Sequence, residues 1–185
     1  MNRVNTLLLS VVSFLVLVTS CNNGEQNVAP TDDNEAITTA TLTLTNKANS
    51  NDVVTATVEN LNTTADFSKA TLNLKANTIY TGVISLLDKT KTPALDATTE
   101  IKEKANEHLF VYTPTPASLL TITLTDKDTN PAPGPYPIGL TTEIKTGSAG
   151  SGKLKVVLRH QPNAKNGQAT PGTSDLDTDF TVVVQ

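Results

Sequence analysis

The chain has 185 residues with 14 Lys and Arg against 18 Asp and Glu, a net charge of −4, one cysteine and no tryptophan. This acidic balance excludes nucleic acid as a partner, because phosphate binding needs clustered cations. The single cysteine, Cys21, excludes an internal disulfide, so the folded part is held by its hydrophobic core. Abundant threonine and valine with regular turn residues indicate β structure.

The N-terminus has the pattern of a secretory signal peptide over residues 1–20. Arg3 supplies the positive start, residues 7–18 form an apolar run interrupted by two serines, and small residues follow. Such a run is too short to remain as a membrane-spanning helix. Val18-Thr19-Ser20-Cys21 resembles the bacterial lipobox, which implies that Cys21 is lipidated and becomes the new N-terminus. An ordinary secretory signal that happens to precede a cysteine is the alternative.

Residues 21–36 are predicted to be a lipidated, flexible tether. After Cys21 the chain consists of Asn, Gly, Glu, Gln, Pro and Asp with little to bury. Of the 14 basic residues Arg3 lies in the signal, which leaves 13 against the 18 acidic residues in the exported part. A single domain over residues 37–185 follows the tether.

The first predicted strand has strict alternation. Ala40, Leu42 and Leu44 face one side while the intervening threonines face the other, which indicates a half-buried strand. The more continuously apolar segment 79–87 is predicted to be a central strand covered on both faces. The same reasoning predicts strands at 54–58, 70–74, 109–112, 119–125, 138–144, 154–159 and 180–184, about nine in all.

A helical pattern interrupts the strands once. Between Asp96 and Glu107, Ala97, Ile101 and Ala105 recur at helical spacing, which predicts one short helix there. On this helix Glu100, Glu103 and Glu107 lie together on the opposite side, an arrangement that is normally a solvated face.

Short strands separated by turn signals predict an immunoglobulin-like antiparallel β-sandwich with one short helix. Leu74 and Tyr80 have the spacing of the tyrosine corner of fibronectin type III and other immunoglobulin-like domains, where the phenol hydrogen-bonds back to the chain. Ala76 stands where those domains often have proline. Because few strands precede Tyr80 and a helix follows it, we expect a modified strand order.

Familiar enzyme motifs are incomplete in this chain. Residues 147–153 read GSAGSGK, but Leu154 stands where a phosphate-binding loop needs Ser or Thr, and a strand pattern follows instead of a helix. These glycines are therefore predicted to form a hairpin turn. The sequence has no nucleophile elbow, HExxH helix or cysteine nucleophile, so we expect a protein that is not an enzyme.

The two histidines, His108 and His160, are candidate ligands for zinc. Glu103 and Glu107 lie near His108 in the chain, and the aspartates of residues 175–179 are candidate company for His160. Imidazoles with a carboxylate suit zinc or another transition metal. The alternative is two isolated histidines, because sequence does not show that they meet in space.

Two acidic runs are candidate calcium ligands. Asp126, Asp128 and Asn130 have the alternate spacing that opens a calcium loop, although Pro131 replaces the glycine expected at the sixth place. A polar turn is the alternative. The aspartates of residues 175–179 also alternate, which suits either a cation or a solvated strand edge.

Three segments carry a family resemblance: residues 103–112 (EKANEHLFVY), residues 126–128 (DKD) and residues 158–162 (LRHQP). Together they resemble a group of small lipoproteins of Bacteroidota. Some members carry a label for a type 1 periplasmic binding fold, which is α/β and two-lobed, whereas the pattern here predicts a β-sandwich. The resemblance implies an outer-membrane location and association with a TonB-dependent receptor, and it supplies no catalytic residues.

These observations together predict a lipid-anchored, non-enzymatic binding module of the outer membrane. It would help a receptor to capture a metal ion, zinc or calcium, or another small ligand. The alternative is a structural or adhesive surface lipoprotein with no small ligand. Whether the domain faces the periplasm or the outside is left open by the sequence.

Overall fold

The structure is a computed structural model, and it describes residues 35–185. The predicted signal peptide, the predicted lipidation site Cys21 and most of the predicted tether lie outside the described residues. Glu35 and Ile37, at the predicted junction of tether and domain, are already buried.

The described chain contains eleven strands, one α-helix and one 3-10 turn. In chain order they are β1 (Thr39–Asn46), β2 (Val53–Glu59), β3 (Asp66–Lys69), β4 (Thr71–Leu74), β5 (Ile79–Asp88), β6 (Leu95–Asp96), α1 (Ala97–Glu103), the 3-10 turn η1 (Ala105–Glu107), β7 (His108–Thr115), β8 (Leu120–Leu124), β9 (Thr141–Thr146), β10 (Gly150–His160) and β11 (Thr173–Val184).

The strands form two sheets. The first sheet has the order β3-β2-β1-β5-β9-β8, with β6 paired to β5, and the second has the order β4-β11-β10-β7. Neighbouring strands are antiparallel except β11 and β4, which are parallel. The predicted β-sandwich with one short helix is confirmed.

The core lies between the two sheets, and alternation explains how each strand contributes to it. Leu42 and Leu44 of β1 are fully buried, as are Leu154 of β10 and Phe180 of β11. Full burial of one such side chain stabilises the fold by about 1.5 to 3 kcal/mol. The second sheet therefore presents a continuous apolar face to the first and forms a rigid support for the ends of β7, β10 and β11.

The prediction for β5 was partly wrong. The strand is central in the first sheet, but its side chains alternate, and Ile79 and Val83 are 39% and 45% exposed. The apolar run reflects β-branched residues on the outward face of a sheet that is covered on one side at these positions. Two short strands, β3 and β6, were not predicted.

The glycine segment 147–153 does not form the predicted hairpin. It connects β9 of the first sheet to β10 of the second, so the chain crosses between sheets at this point. A Cβ atom at Gly152 would overlap the carbonyl oxygen of Thr115 on β7. Glycine is needed there because the two backbones approach closely.

Helix α1 begins where Asp96 caps it, with the Asp96 side chain accepting a hydrogen bond from the Thr98 backbone N–H. Ala97 and Ile101 are buried as predicted, but α1 ends at Glu103, and Ala105 belongs to the separate turn η1 and is not buried. The Thr98 hydroxyl accepts from the Leu86 backbone N–H at 2.8 Å and so ties the helix to β5. This attachment fixes where η1 and the start of β7 lie.

Candidate metal centre

His108 and His160 meet at one end of the second sheet. His108 is the first residue of β7, His160 is the last residue of β10, and the two residues pair directly across the strands. Their ring centroids lie 4.9 Å apart with planes inclined by 11°. Both residues are buried, at 0% and 6% exposure. Direct cross-strand neighbours on one face have side chains in contact, so the register itself brings the imidazoles together.

Asp175 joins this pair because β11 contains a bulge. Leu176 pairs with Leu158, but Ser174 pairs with Arg159, so Asp175 is one extra residue in β11. A bulge re-aims the side chain of the extra residue. The Asp175 side chain is fully buried, and its Oδ2 lies 3.5 Å from Nε2 of His108.

The other two aspartates of the run do not share this environment. Asp177 pairs with Lys155 at 2.9 Å and Asp179 with Lys153 at 3.5 Å, all with partly exposed side chains. These contacts fit the solvated-edge alternative for Asp177 and Asp179. Asp175 differs from them because the bulge turns its carboxylate into the interior.

The inner pair of the centre, His108 and Asp175, consists of two buried acceptors that face each other. Nδ1 of His108 lies 3.0 Å from the carbonyl oxygen of Lys104, so we assign the ring proton to Nδ1, which donates to that oxygen. Nε2 of the neutral ring then presents a lone pair. Neither Nε2 nor the two Asp175 oxygens have a hydrogen-bond partner among residues 35–185. Such a pair is unfavourable unless a cation, either a proton or a metal ion, lies between the two groups.

The distances suit a tetrahedral metal ion. One ligand atom from each of His108, His160 and Asp175 lies within 4.8 Å of the others. Zinc ligands at about 2.1 Å from the ion stand roughly 3.4 Å apart in a tetrahedron. The inner pair already has this separation, whereas His160 must move by up to about 1.4 Å and turn out of its stack on His108 to join it. The hydrogen bond from Nδ1 to a backbone carbonyl is also the usual orienting contact of a metal-bound histidine.

Glu107 forms an outer pair with His160. Oε2 of Glu107 lies 3.6 Å from Nε2 of His160, and the Glu107 side chain is 39% exposed. Glu107 also lines a surface cleft of about 490 Å³ between α1–η1 and the loop after β8. Glu103 lines the same cleft and is exposed, as expected for a solvated helix face.

Asp126 and Asp128 have oxygens that accept hydrogen bonds from the protein. The Asp126 carboxylate accepts from the backbone N–H groups of Gly139 at 2.8 Å and Leu140 at 3.0 Å. The Asp128 carboxylate accepts from the Tyr136 backbone N–H at 2.8 Å and lies 2.9 Å from Nζ of Lys165. These contacts stabilise the loop between β8 and β9, which corresponds to the polar-turn alternative for this segment.

The Asp128–Lys165 ion pair is almost completely buried, at 0% and 1% side-chain exposure. Burial works to raise the pKa of Asp128, but the Lys165 ammonium and the Tyr136 and Asn130 N–H groups hold it below the usual value. Burial lowers the pKa of Lys165 in spite of Asp128. Lys165 also donates to the carbonyl oxygen of Ala105 at 2.8 Å, so the pair links the β10–β11 loop to η1.

Glu35 is a further acidic residue near the centre, although the sequence predicted that it belongs to the tether. Glu35 lies 3.4 Å from Nζ of Lys104, which also contacts Glu100 at 3.1 Å. Burial and the hydrogen bond with Glu100 raise the pKa of Glu35. The end of the tether thus packs against the residue whose carbonyl orients His108.

Sequence reasoning therefore identified both imidazoles and Glu107 and named the run of residues 175–179 as acidic company for His160, but it did not single out Asp175. No local signal distinguishes Asp175 from Asp177 or Asp179, because the bulge depends on pairing with β10.

Comparison of the chain with family models, with curated proteins and with solved structures gave no match. Within residues 35–185, no helix has the length and apolar character needed to cross a membrane.

Proposed function

We propose that this protein is a lipid-anchored module of the outer membrane that captures a divalent transition-metal ion through His108, His160 and Asp175. The single observation that supports the metal is the inner pair, in which the His108 Nε2 lone pair faces the buried Asp175 carboxylate without a donor between them. Two imidazoles and one carboxylate favour zinc or copper over calcium, which prefers oxygen ligands.

The number of ligands favours capture over a structural role for the ion. Structural zinc sites have four protein ligands, whereas three ligands leave one position open for exchange. All three ligands stand at strand ends on a packed sandwich, so the domain needs no metal to build its core. An exchangeable ion is what an accessory to a TonB-dependent receptor would deliver.

The part of the predicted tether before Glu35, residues 21–34, would give this module its range, because Glu35 itself packs against Lys104. A flexible chain of that length has an end-to-end distance of about 20 Å. Such a tether would hold the domain next to the membrane and next to a receptor in it. The lipobox resemblance at Cys21 supports the anchor.

Metal titration of the full-length protein in detergent, followed by thermal unfolding, tests this function. We expect saturable stabilisation by zinc and copper, amounting to about 2.7 kcal/mol when the free metal is a hundred times its Kd, and none by calcium. The double variant His108→Ala, His160→Ala should lose the response and keep the β-rich circular dichroism spectrum. A wild type that no metal stabilises would contradict the function and favour a structural or adhesive lipoprotein.

Asp175→Asn is the sharpest control because it keeps the shape and removes the charge. In this variant the side-chain amide at position 175 can donate a hydrogen bond to the Nε2 lone pair of His108. The free energy of unfolding of the metal-free variant should therefore exceed that of the wild type by about 0.5 to 1.5 kcal/mol. The variant should no longer respond to zinc. If the variant is instead destabilised and wild type ignores zinc, a proton bridges His108 and Asp175, and the proposed function is wrong.

A further inference from the structure

We infer that Glu107 is the entry ligand of the centre, the carboxylate that receives a hydrated divalent transition-metal ion from the cleft and passes it to the buried cluster. This inference rests on the proposed function. It starts from a problem of access: the side chains of His108 and Asp175 are 0% exposed, and that of His160 is 7% exposed. An ion bound by them must first be held by a group that solvent reaches.

Glu107 meets this requirement. Its side chain is 39% exposed, and Oε2 lies 3.6 Å from Nε2 of His160. This separation is close to the ligand–ligand distance of roughly 3.4 Å in a tetrahedral site, so an ion fits between Glu107 and His160 before it goes deeper. The stacked His160 and His108 rings, 4.9 Å apart, then connect this outer pair to the inner pair.

The inner pair explains why the ion moves inward. The unpartnered His108 Nε2 and Asp175 oxygens have neither solvent nor protein donors, so they gain more from a cation than the partly hydrated Glu107 does. In the final state His108, Asp175 and His160 hold the ion, and Glu107 is released to the cleft.

The backbone around Glu107 fits this transient role. Its N–H donates to the Lys104 carbonyl oxygen at 3.0 Å, and its own carbonyl oxygen accepts from Gln161 N–H at 2.6 Å. The Lys104 oxygen is the one that orients His108, so Glu107 and His108 share a fixed support. Glu107 thus lines the 490 Å³ cleft, and its partly exposed side chain lies beside His160, which is not part of the cleft lining.

The test measures rates with cobalt(II), whose visible absorption reports coordination, in stopped-flow mixing with the full-length protein in detergent. Glu107→Gln should lower both the association and the dissociation rate constants on the order of tenfold, because the entry charge is lost. The equilibrium Kd should change little, since the final ligands are intact. Glu103→Gln is the matched control: Glu103 lines the same cleft, and its substitution should leave both rates unchanged.

The outcomes separate this inference from the proposed function. If Glu107→Gln binds cobalt at the wild-type rate while Asp175→Asn does not bind it, the centre is real and the entry role is wrong. If Glu107→Gln weakens Kd as strongly as Asp175→Asn without slowing association, Glu107 is a permanent ligand, which also overturns the entry role. If wild type binds no cobalt, zinc or copper, the proposed function fails and the entry role fails with it.

Discussion

The hydroxyl oxygen of Tyr80 accepts a hydrogen bond from the backbone N–H of Lys75 at 2.9 Å. Tyr80 is fully buried, and the bond joins β5 to the chain five residues earlier, after β4. This is the tyrosine-corner contact predicted from the spacing of Leu74 and Tyr80. It holds the connection by which the chain passes from the second sheet to the first.

Tyr80→Phe should lower the free energy of unfolding by about 0.5 to 1.5 kcal/mol, because Lys75 N–H loses its acceptor while the ring stays packed. Urea denaturation at neutral pH measures the change. Tyr136→Phe, in the partly exposed loop after β8, is the matched control and should stay within about 0.5 kcal/mol of wild type. Equal midpoints for Tyr80→Phe and wild type would contradict the role of the corner.

Removing one member of the buried Asp128–Lys165 pair should destabilise the protein strongly. Asp128→Ala leaves the Lys165 ammonium without its carboxylate at 1% side-chain exposure, and the expected loss is about 3 to 5 kcal/mol. Chemical denaturation measures it. The exposed pair Lys47–Glu143 provides the control, since Glu143→Ala should cost no more than about 1 kcal/mol. Similar losses for the two variants would show that Lys165 is hydrated in solution.

Acid should weaken the fold through carboxylates whose pKa is lowered by folding. The hydrogen bond from Thr98 holds the pKa of Asp96 below its usual value. The ammonium of Lys165 and nearby N–H donors likewise hold the pKa of Asp128 below its usual value. Since the folded pKa lies below the unfolded one, the stabilisation is present at neutral pH. It is lost as pH falls below about 4 toward the folded pKa.

The free energy of unfolding measured between pH 7 and pH 3 checks this expectation. Asp96→Asn should be less stable than wild type at pH 7 and should lose less on acidification, because one of the responsible carboxylates is absent. Parallel profiles for the two proteins would contradict the assignment to Asp96.

Cys21→Ser should move the protein from the membrane fraction to the soluble fraction, because it removes the proposed attachment point for the acyl chains. One acyl chain binds a membrane only marginally, so the several chains of a bacterial lipoprotein are needed for stable anchoring. Fractionation and immunoblotting measure the distribution, with Asn22→Ala as a control that should stay in the membrane. Membrane retention of Cys21→Ser would contradict the anchor. If the anchor is confirmed, protease shaving of intact cells shows whether the domain is exposed at the cell surface.

Much of the fold could be predicted because the signals are local. Ala40, Leu42 and Leu44 alternate with threonines in β1. Because successive side chains of a strand point to opposite faces, either the apolar residues or the threonines face the core, but not both. Ala97 and Ile101 similarly indicate which face of α1 is buried. The apolar run of β5 misled the prediction, because Ile79 and Val83 are good strand formers whether or not they are covered.

The candidate metal centre could be predicted only in part. His108 and His160 were recognisable as imidazole ligands with acidic neighbours, but the cross-strand register of β7 and β10 decides that their rings stack. Asp175 depends on the bulge in β11, and the separate role of Asp128 depends on Lys165, 37 positions further along the chain. These contacts join segments that are far apart in the chain, and the local sequence does not indicate which segments pair.

The sequence by itself determined the composition of the core, the faces of the strands and the single helix, because period and propensity act over a few neighbouring residues. Only the tertiary structure decided that β10 lies between β7 and β11, that β9 and β10 belong to different sheets, and that one extra residue turns Asp175 inward. The physical reason is that strand partners are chosen by long-range packing of whole faces, and a one-residue shift in that pairing redirects a side chain without any change in the local pattern.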